Sequence, residues 1–100
     1  MQVYWASVEF DIVHPEEYEN CVGGFAYLFL KAADDRDARE KIKAAVEDEF
    51  RLIQIEFVGP YDGAWESMEE QRLYDGLANR AENSEGVVWD EIDAYEFKDE

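Results

Sequence analysis

The order in which two hydrophobic periodicities follow one another most constrains the fold of this chain. The stretch "VYWASVEFDIV" (3–13) alternates between apolar and mixed side chains, which is the period of a half-buried strand. Residues 25–32, 50–58 and 87–97 ("VVWDEIDAYEF") have strand character as well. The sequence therefore predicts four strands, with a loop over 14–24.

Two other segments switch to helical spacing. In 34–49 the apolar side chains fall on one stripe, which consists of Ala38, Ile42, Ala45 and Val46. A second helix is predicted to start at "SMEE" (67–70), because Ser-x-x-Glu is the form of a capping box. The predicted order of elements is β-β-α-β-α-β.

This order limits the architecture. Each strand–helix–strand unit favours parallel strands with a right-handed crossover, whereas the first two strands can pair antiparallel. We therefore expect residues 1–100 to form a single α+β domain. It would be a two-layer sandwich, with a four-stranded mixed sheet and both helices on one face. The other face of the sheet would be left without a helix.

That second face would have an unusual composition. If the more aliphatic side of every strand is turned toward the helices, aromatic and acidic side chains collect on the opposite side. Contiguous exposed apolar patches usually mark contact sites, and Trp and Tyr often dominate the energy of interfaces. The residues predicted to bind a partner are Trp5, Glu9, Asp11, Glu56, Trp89, Glu91, Asp93 and Tyr95.

An alternative interpretation buries some of these aromatic residues for packing. A bulge near Asp90 would turn Trp89 inward, because one extra residue reverses the alternation of the strand. Trp5 can equally pack beneath the 14–24 loop. In that case the carboxylates form an ordinary solvated face.

Charge is the strongest global signal in the sequence. Asp and Glu number 26 against 9 Lys and Arg, which gives a formal net charge of −17. This balance opposes direct binding to nucleic acid or to an anionic membrane and favours basic partners. The chain has no apolar run of the ~20 residues that a membrane span requires. The start "MQVYWASVEF" also lacks the pattern of a secretion signal, so a cytoplasmic location is expected.

Residues for catalysis or metal binding are scarce. The single histidine, His14, and the single cysteine, Cys21, lie in the predicted loop without an identifiable third catalytic group. Zinc sites use several Cys or His ligands, and the acidic stretches lack the spacing of a calcium loop. No glycine-rich phosphate loop is present. The sequence therefore predicts no catalytic residues, no metal and no cofactor, and an enzyme is the least supported class.

Three functional hypotheses follow. The first is a non-enzymatic module that occludes a basic protein, for example a nuclease or a nucleic-acid-binding protein. Immunity proteins and nucleic-acid mimics are similar in size, charge and layout, although no motif is shared. The second is a self-associating domain, a homodimer that pairs its open faces and holds a small ligand or has a regulatory role. The third is a housekeeping domain from a halophile, in which acidity is a property of the whole proteome.

Overall fold

The computed structural model describes residues 1–96, so Phe97 of the predicted last strand lies outside the described residues. The predicted order of elements is confirmed, except that the last strand consists of two short pieces. The elements are β1 (Gln2–Asp11), a 3₁₀ helix (Pro15–Tyr18), β2 (Gly23–Ala32), α1 (Asp35–Glu47), β3 (Arg51–Pro60), α2 (Met68–Glu82), β4 (Val88–Trp89) and β5 (Asp93–Tyr95).

The sheet is antiparallel throughout, so the prediction of a mixed sheet was wrong. Its order is β3-β1-β2-β4, and β5 continues beside β2 after β4. Strands β2 and β3 run in the same direction, as expected for strands joined by a helix, but β1 lies between them and is antiparallel to both. The connection through α1 therefore passes over β1, so β2 and β3 are not neighbours in the sheet as had been expected.

The two helices pack on opposite faces of the sheet, which corrects the two-layer prediction. Ala38, Ile42 and Val46 of α1 join the core formed by the even-numbered side chains of β1. Leu77, Ala78 and Ala81 of α2 instead pack on Phe29 and Val88, on the other side. α2 packs there because the odd-numbered side chains of β1 and β2 present a large apolar surface, which the helix removes from water. The result is one helix on each side of the sheet.

Local signals fix where both helices begin. The Asp34 side chain accepts a 2.8 Å hydrogen bond from the backbone N–H of Asp37, which caps α1. Ser67 accepts a 3.0 Å hydrogen bond from the backbone N–H of Glu70, which confirms the predicted cap of α2. Within residues 1–96, neither helix is long and apolar enough to cross a membrane.

Strand β3 departs from simple alternation at two points. Its pairing with β1 shifts register between Ser7 and Val8 and again between Glu9 and Phe10, so Glu56 and Ile53 are the extra residues. Each shift changes which side the following residues of β3 face. Because of these bulges, an odd-or-even rule applied to β3 does not predict the face of its side chains.

Candidate partner-binding groove

Cross-strand pairing arranges the odd-numbered face of the sheet in rows. Directly paired residues of neighbouring strands share a face and lie side by side. Three successive rows are Gln54–Glu9–Phe25–Asp93, then Phe57–Ser7–Tyr27, then Gly59–Trp5–Phe29–Val88. The face is thus acidic toward one end and aromatic toward the other.

Helix α2 and the segment before it pack on the aromatic end. The Trp5 ring centroid lies 4.5 Å from that of Phe57 and 5.0 Å from that of Trp65. Trp65 in turn stacks on Tyr74 of α2, with ring centroids 4.1 Å apart. Trp5 is therefore half-buried in a cluster of rings. This placement matches the packing alternative for Trp5 in part, although Tyr61 and Trp65 of the segment before α2, and not the 14–24 loop, pack against it.

A hydrogen-bond network holds the segment before α2 against the helix. The Tyr61 hydroxyl donates to Asp75 Oδ1 over 2.6 Å, and the indole N–H of Trp65 donates to the Tyr61 hydroxyl over 3.0 Å. Gln71 donates to the second oxygen of Asp75 over 2.8 Å. Burial, followed by the hydrogen bond to Asp75, raises the pKa of Tyr61 to about 12. The hydrogen bonds from Tyr61 and Gln71 lower the pKa of Asp75.

Trp89 lies on the opposite face from Trp5, so its predicted place on a shared surface was wrong. It pairs with Leu28 and packs against Phe10 and Phe50, with ring centroids 6.0 and 5.8 Å away. The strand is interrupted after Trp89 and resumes at Asp93. An irregularity near Asp90 was the alternative predicted from the sequence. With it, the Trp89 side chain packs against the core that contains α1.

After the interruption, Asp93 and Tyr95 return to the face that carries Glu9. The Tyr95 hydroxyl donates a 2.9 Å hydrogen bond to one carboxylate oxygen of Glu9, and Gln54 donates to the other over 3.0 Å. Burial and then the hydrogen bond to Glu9 raise the pKa of Tyr95 to about 12. Asp11, at the end of β1, pairs across the sheet with Gly23 and Arg51 and is half-buried.

A groove of about 750 Å³ opens where the aromatic and acidic ends of this face meet. Its floor is formed by Phe25 and Tyr27 of β2, and one wall by Leu73 and Tyr74 of α2. The connection between β4 and β5 forms another wall. The complete lining is Ser7, Phe25, Ala26, Tyr27, Glu56, Leu73, Tyr74, Asp90, Glu91, Ile92 and Asp93.

Every charged side chain among the described residues that line the groove is acidic. These residues are Glu56, Asp90, Glu91 and Asp93. Glu56 is exposed and is oriented by a 2.8 Å hydrogen bond from the Ser7 hydroxyl. Burial raises the pKa of the Tyr74 phenol, and the negative charge of Asp90 is the next contribution to that rise. An apolar floor thus lies within a negative electrostatic field.

The groove unites only part of the predicted site. Glu56, Glu91 and Asp93 line it, whereas Glu9 lies beside it in the row of Phe25 and Asp93, and Tyr95 lies in the next row. Tyr74 and Leu73 were not among the predicted site residues, because α2 was expected on the other face. In the sequence, Leu73 and Tyr74 simply continue the apolar stripe of Leu77, Ala78 and Ala81, and only the structure shows that Leu73 stays 52% exposed.

The described residues offer little for other chemistry. Among residues 1–96, no group of three or more His, Cys, Asp or Glu side chains is arranged to hold a metal ion. His14 is exposed, with its imidazole 3.8 Å from Glu16. Cys21 is a free, half-buried thiol.

Comparisons of the chain with protein-family models, with curated proteins and with solved structures find no match. The groove and its charge are therefore the features that point to a function.

Proposed function

We propose that this protein is a non-enzymatic, acidic binding module that holds a basic protein in the groove between α2 and residues 90–93. The observation that carries the proposal is the composition of the groove. Its floor and inner wall are aromatic and aliphatic, while all four of its charged residues are carboxylates. A surface that is apolar at the base and negative at the rim complements Lys and Arg side chains, which have apolar stems and cationic heads.

The overall charge supports the same kind of partner. With a net charge of −17, the molecule attracts a basic protein over a distance of several ångströms and repels nucleic acid. Such steering raises association rates by ~10- to 10³-fold at low salt. The groove then supplies the apolar contact that persists after the encounter, because burial of apolar surface is screened little by salt.

The proposed consequence for the partner is occlusion. The carboxylates would form ion pairs with the Lys and Arg side chains that the partner otherwise uses to bind phosphates. A nuclease or a nucleic-acid-binding protein engaged in this way could not bind its nucleic acid at the same time. No bond of the partner is made or broken.

The experiment compares three immobilised proteins. One is the wild type, one carries Glu91→Lys and Asp93→Lys in the groove, and one carries Glu82→Lys and Glu85→Lys as a control. Both variants raise the net charge from −17 to −13, and all four substituted side chains are exposed. A lysate from the source cells is applied at low salt and eluted with a salt gradient.

We expect a basic protein that elutes late from the wild type and from the control variant but early from the groove variant. Circular dichroism establishes that both variants remain folded. If the two variants release the same proteins at the same salt concentration, the groove carboxylates contribute no more to retention than other acidic residues do, and the proposal is wrong.

A further inference from the structure

We infer that the groove selects an arginine side chain of the partner, laid against the ring of Phe25 with its guanidinium beside the carboxylate of Asp93. This inference rests on the proposed function and names the side chain that the site recognises. It follows from three features of the groove, which are an accessible ring, carboxylates on both sides of that ring, and space around them.

Of the two rings on the groove floor, that of Phe25 has fewer aromatic neighbours among the described residues. Tyr27 has three neighbouring rings, those of Trp5 and Tyr74 at 5.7 Å and that of Phe57 at 6.5 Å. Within residues 1–96, Phe25 has one ring contact, with Tyr95 at 5.7 Å and a tilt of 51°. The Phe25 side chain is half-buried, so part of its ring is available to a ligand in the groove.

Carboxylates lie on both sides of this ring. Phe25 pairs directly with Glu9 on β1 and with Asp93 on β5, and all three side chains share one face. Neighbouring strands are ~4.8 Å apart, so a cation on the ring is close to both carboxylates. Glu9 already accepts hydrogen bonds at both oxygens, from Tyr95 and Gln54, which holds its negative charge in place.

The pairing of a ring with a carboxylate distinguishes arginine from lysine. A guanidinium is planar, stacks on aromatic rings and is weakly hydrated, and its five N–H donors can bind a carboxylate with two parallel hydrogen bonds. A lysine ammonium is compact and strongly hydrated, so it loses more hydration in an apolar groove. The volume of about 750 Å³ leaves room for the residues that flank the arginine in the partner.

Two synthetic peptides test this inference. In one, arginine alternates with glycine; in the other, lysine replaces every arginine, so the net charge is equal. Affinities for both are measured by calorimetry with the wild type, with Phe25→Leu and with Phe57→Leu. The last variant is a matched control, because Phe57 lies on the same side of the sheet and is 37% exposed but does not line the groove.

We expect the wild type to bind the arginine peptide about 10-fold more tightly than the lysine peptide. Phe25→Leu should abolish this preference and leave the affinity for lysine unchanged, whereas Phe57→Leu should retain the preference. Equal affinities in the wild type, or a preference that survives Phe25→Leu, would overturn the arginine inference while the proposed function stands. If neither peptide binds, or if Glu91→Lys with Asp93→Lys leaves both affinities unchanged, the proposed function falls as well.

Discussion

The Tyr95 hydroxyl donates a 2.9 Å hydrogen bond to Glu9, a residue 86 positions earlier in the chain. This bond ties the last described strand to the middle of the sheet, across β2. The ring of Tyr95 passes directly over Gly23, where a side chain would have no space. The absence of a side chain at Gly23 therefore makes room for the Tyr95 ring of β5, the strand that carries Asp93 to the edge of the groove.

The first prediction concerns this contact between Gly23 and Tyr95. A Cβ atom added at Gly23 would lie 2.5 Å from Cζ of the Tyr95 ring, so Gly23→Ala displaces the ring and its hydrogen bond. We expect the free energy of unfolding in urea to fall by about 1–3 kcal/mol, as for overpacked sites. Gly59→Ala is the control, because a Cβ there meets nothing within 4 Å. Equal urea midpoints for the two variants would show that Gly23 and the Tyr95 ring are not in contact.

The second prediction concerns alkaline pH. The folded protein raises the pKa of Tyr61 and of Tyr95 from 10.0 to about 12, chiefly by burial. A raised pKa means that the folded state binds the phenolic proton more tightly than the unfolded state does. The stabilisation is complete below about pH 10 and is lost as the pH rises toward about 12.

Urea unfolding across this pH range measures the effect. We expect Tyr61→Phe and Tyr95→Phe each to make the free energy of unfolding less dependent on pH between about 10 and 12. Tyrosinate absorbance followed during the titration should lose one late-ionising phenol in each variant. An unchanged slope in both variants would contradict the assigned pKa shifts.

The third prediction tests the position of α2. Phe29 is completely buried between the sheet and this helix, so Phe29→Ala leaves a cavity. We expect a loss of about 3–5 kcal/mol in the free energy of unfolding. Leu73→Ala, at a side chain that is 52% exposed, should change it by less than about 1 kcal/mol. If Phe29→Ala changed the free energy of unfolding only slightly, α2 would not cover the face of the sheet that carries Phe29.

The fourth prediction concerns Gly76, an exposed residue in the interior of α2. A Cβ added at this position meets nothing within 4 Å, and alanine is the better helix former. Gly76→Ala should therefore raise the free energy of unfolding by about 0.5–1 kcal/mol. A decrease would show that the backbone of α2 is not helical at this residue.

Much of the local structure could be predicted from the sequence, because it depends on neighbouring residues. Alternation identified the long strands, and the spacing of Ala38, Ile42 and Val46 identified the buried side of α1. Ser67 marked the start of α2 through its side-chain hydrogen bond. The face on which each helix packs depends on the connections and on long-range contacts, and alternation alone does not determine these.

The candidate site was predicted only in part for a related reason. Alternation holds along β1 and β2, so it placed Glu9 correctly beside Trp5 on one face. It fails at each bulge of β3, where one extra residue reverses the direction of the side chains that follow. It also fails at the break after Trp89, where residues 90–92 separate β4 from β5 and the alternation starts anew. The hypotheses of self-association and of a salt-adapted proteome stay predictions.

The most direct test of the groove is a nuclear magnetic resonance titration of the isotope-labelled protein with the arginine-and-glycine peptide at low salt. We expect the largest changes in amide chemical shift at Phe25, Tyr27, Tyr74 and residues 90–93, and their loss in the Glu91→Lys, Asp93→Lys variant. The exposed side of α1, where Glu40 and Glu47 form ion pairs with Arg36 and Lys43, should change little. Shifts centred on α1, or spread evenly over the acidic surface, would contradict the proposal that this groove holds a basic partner.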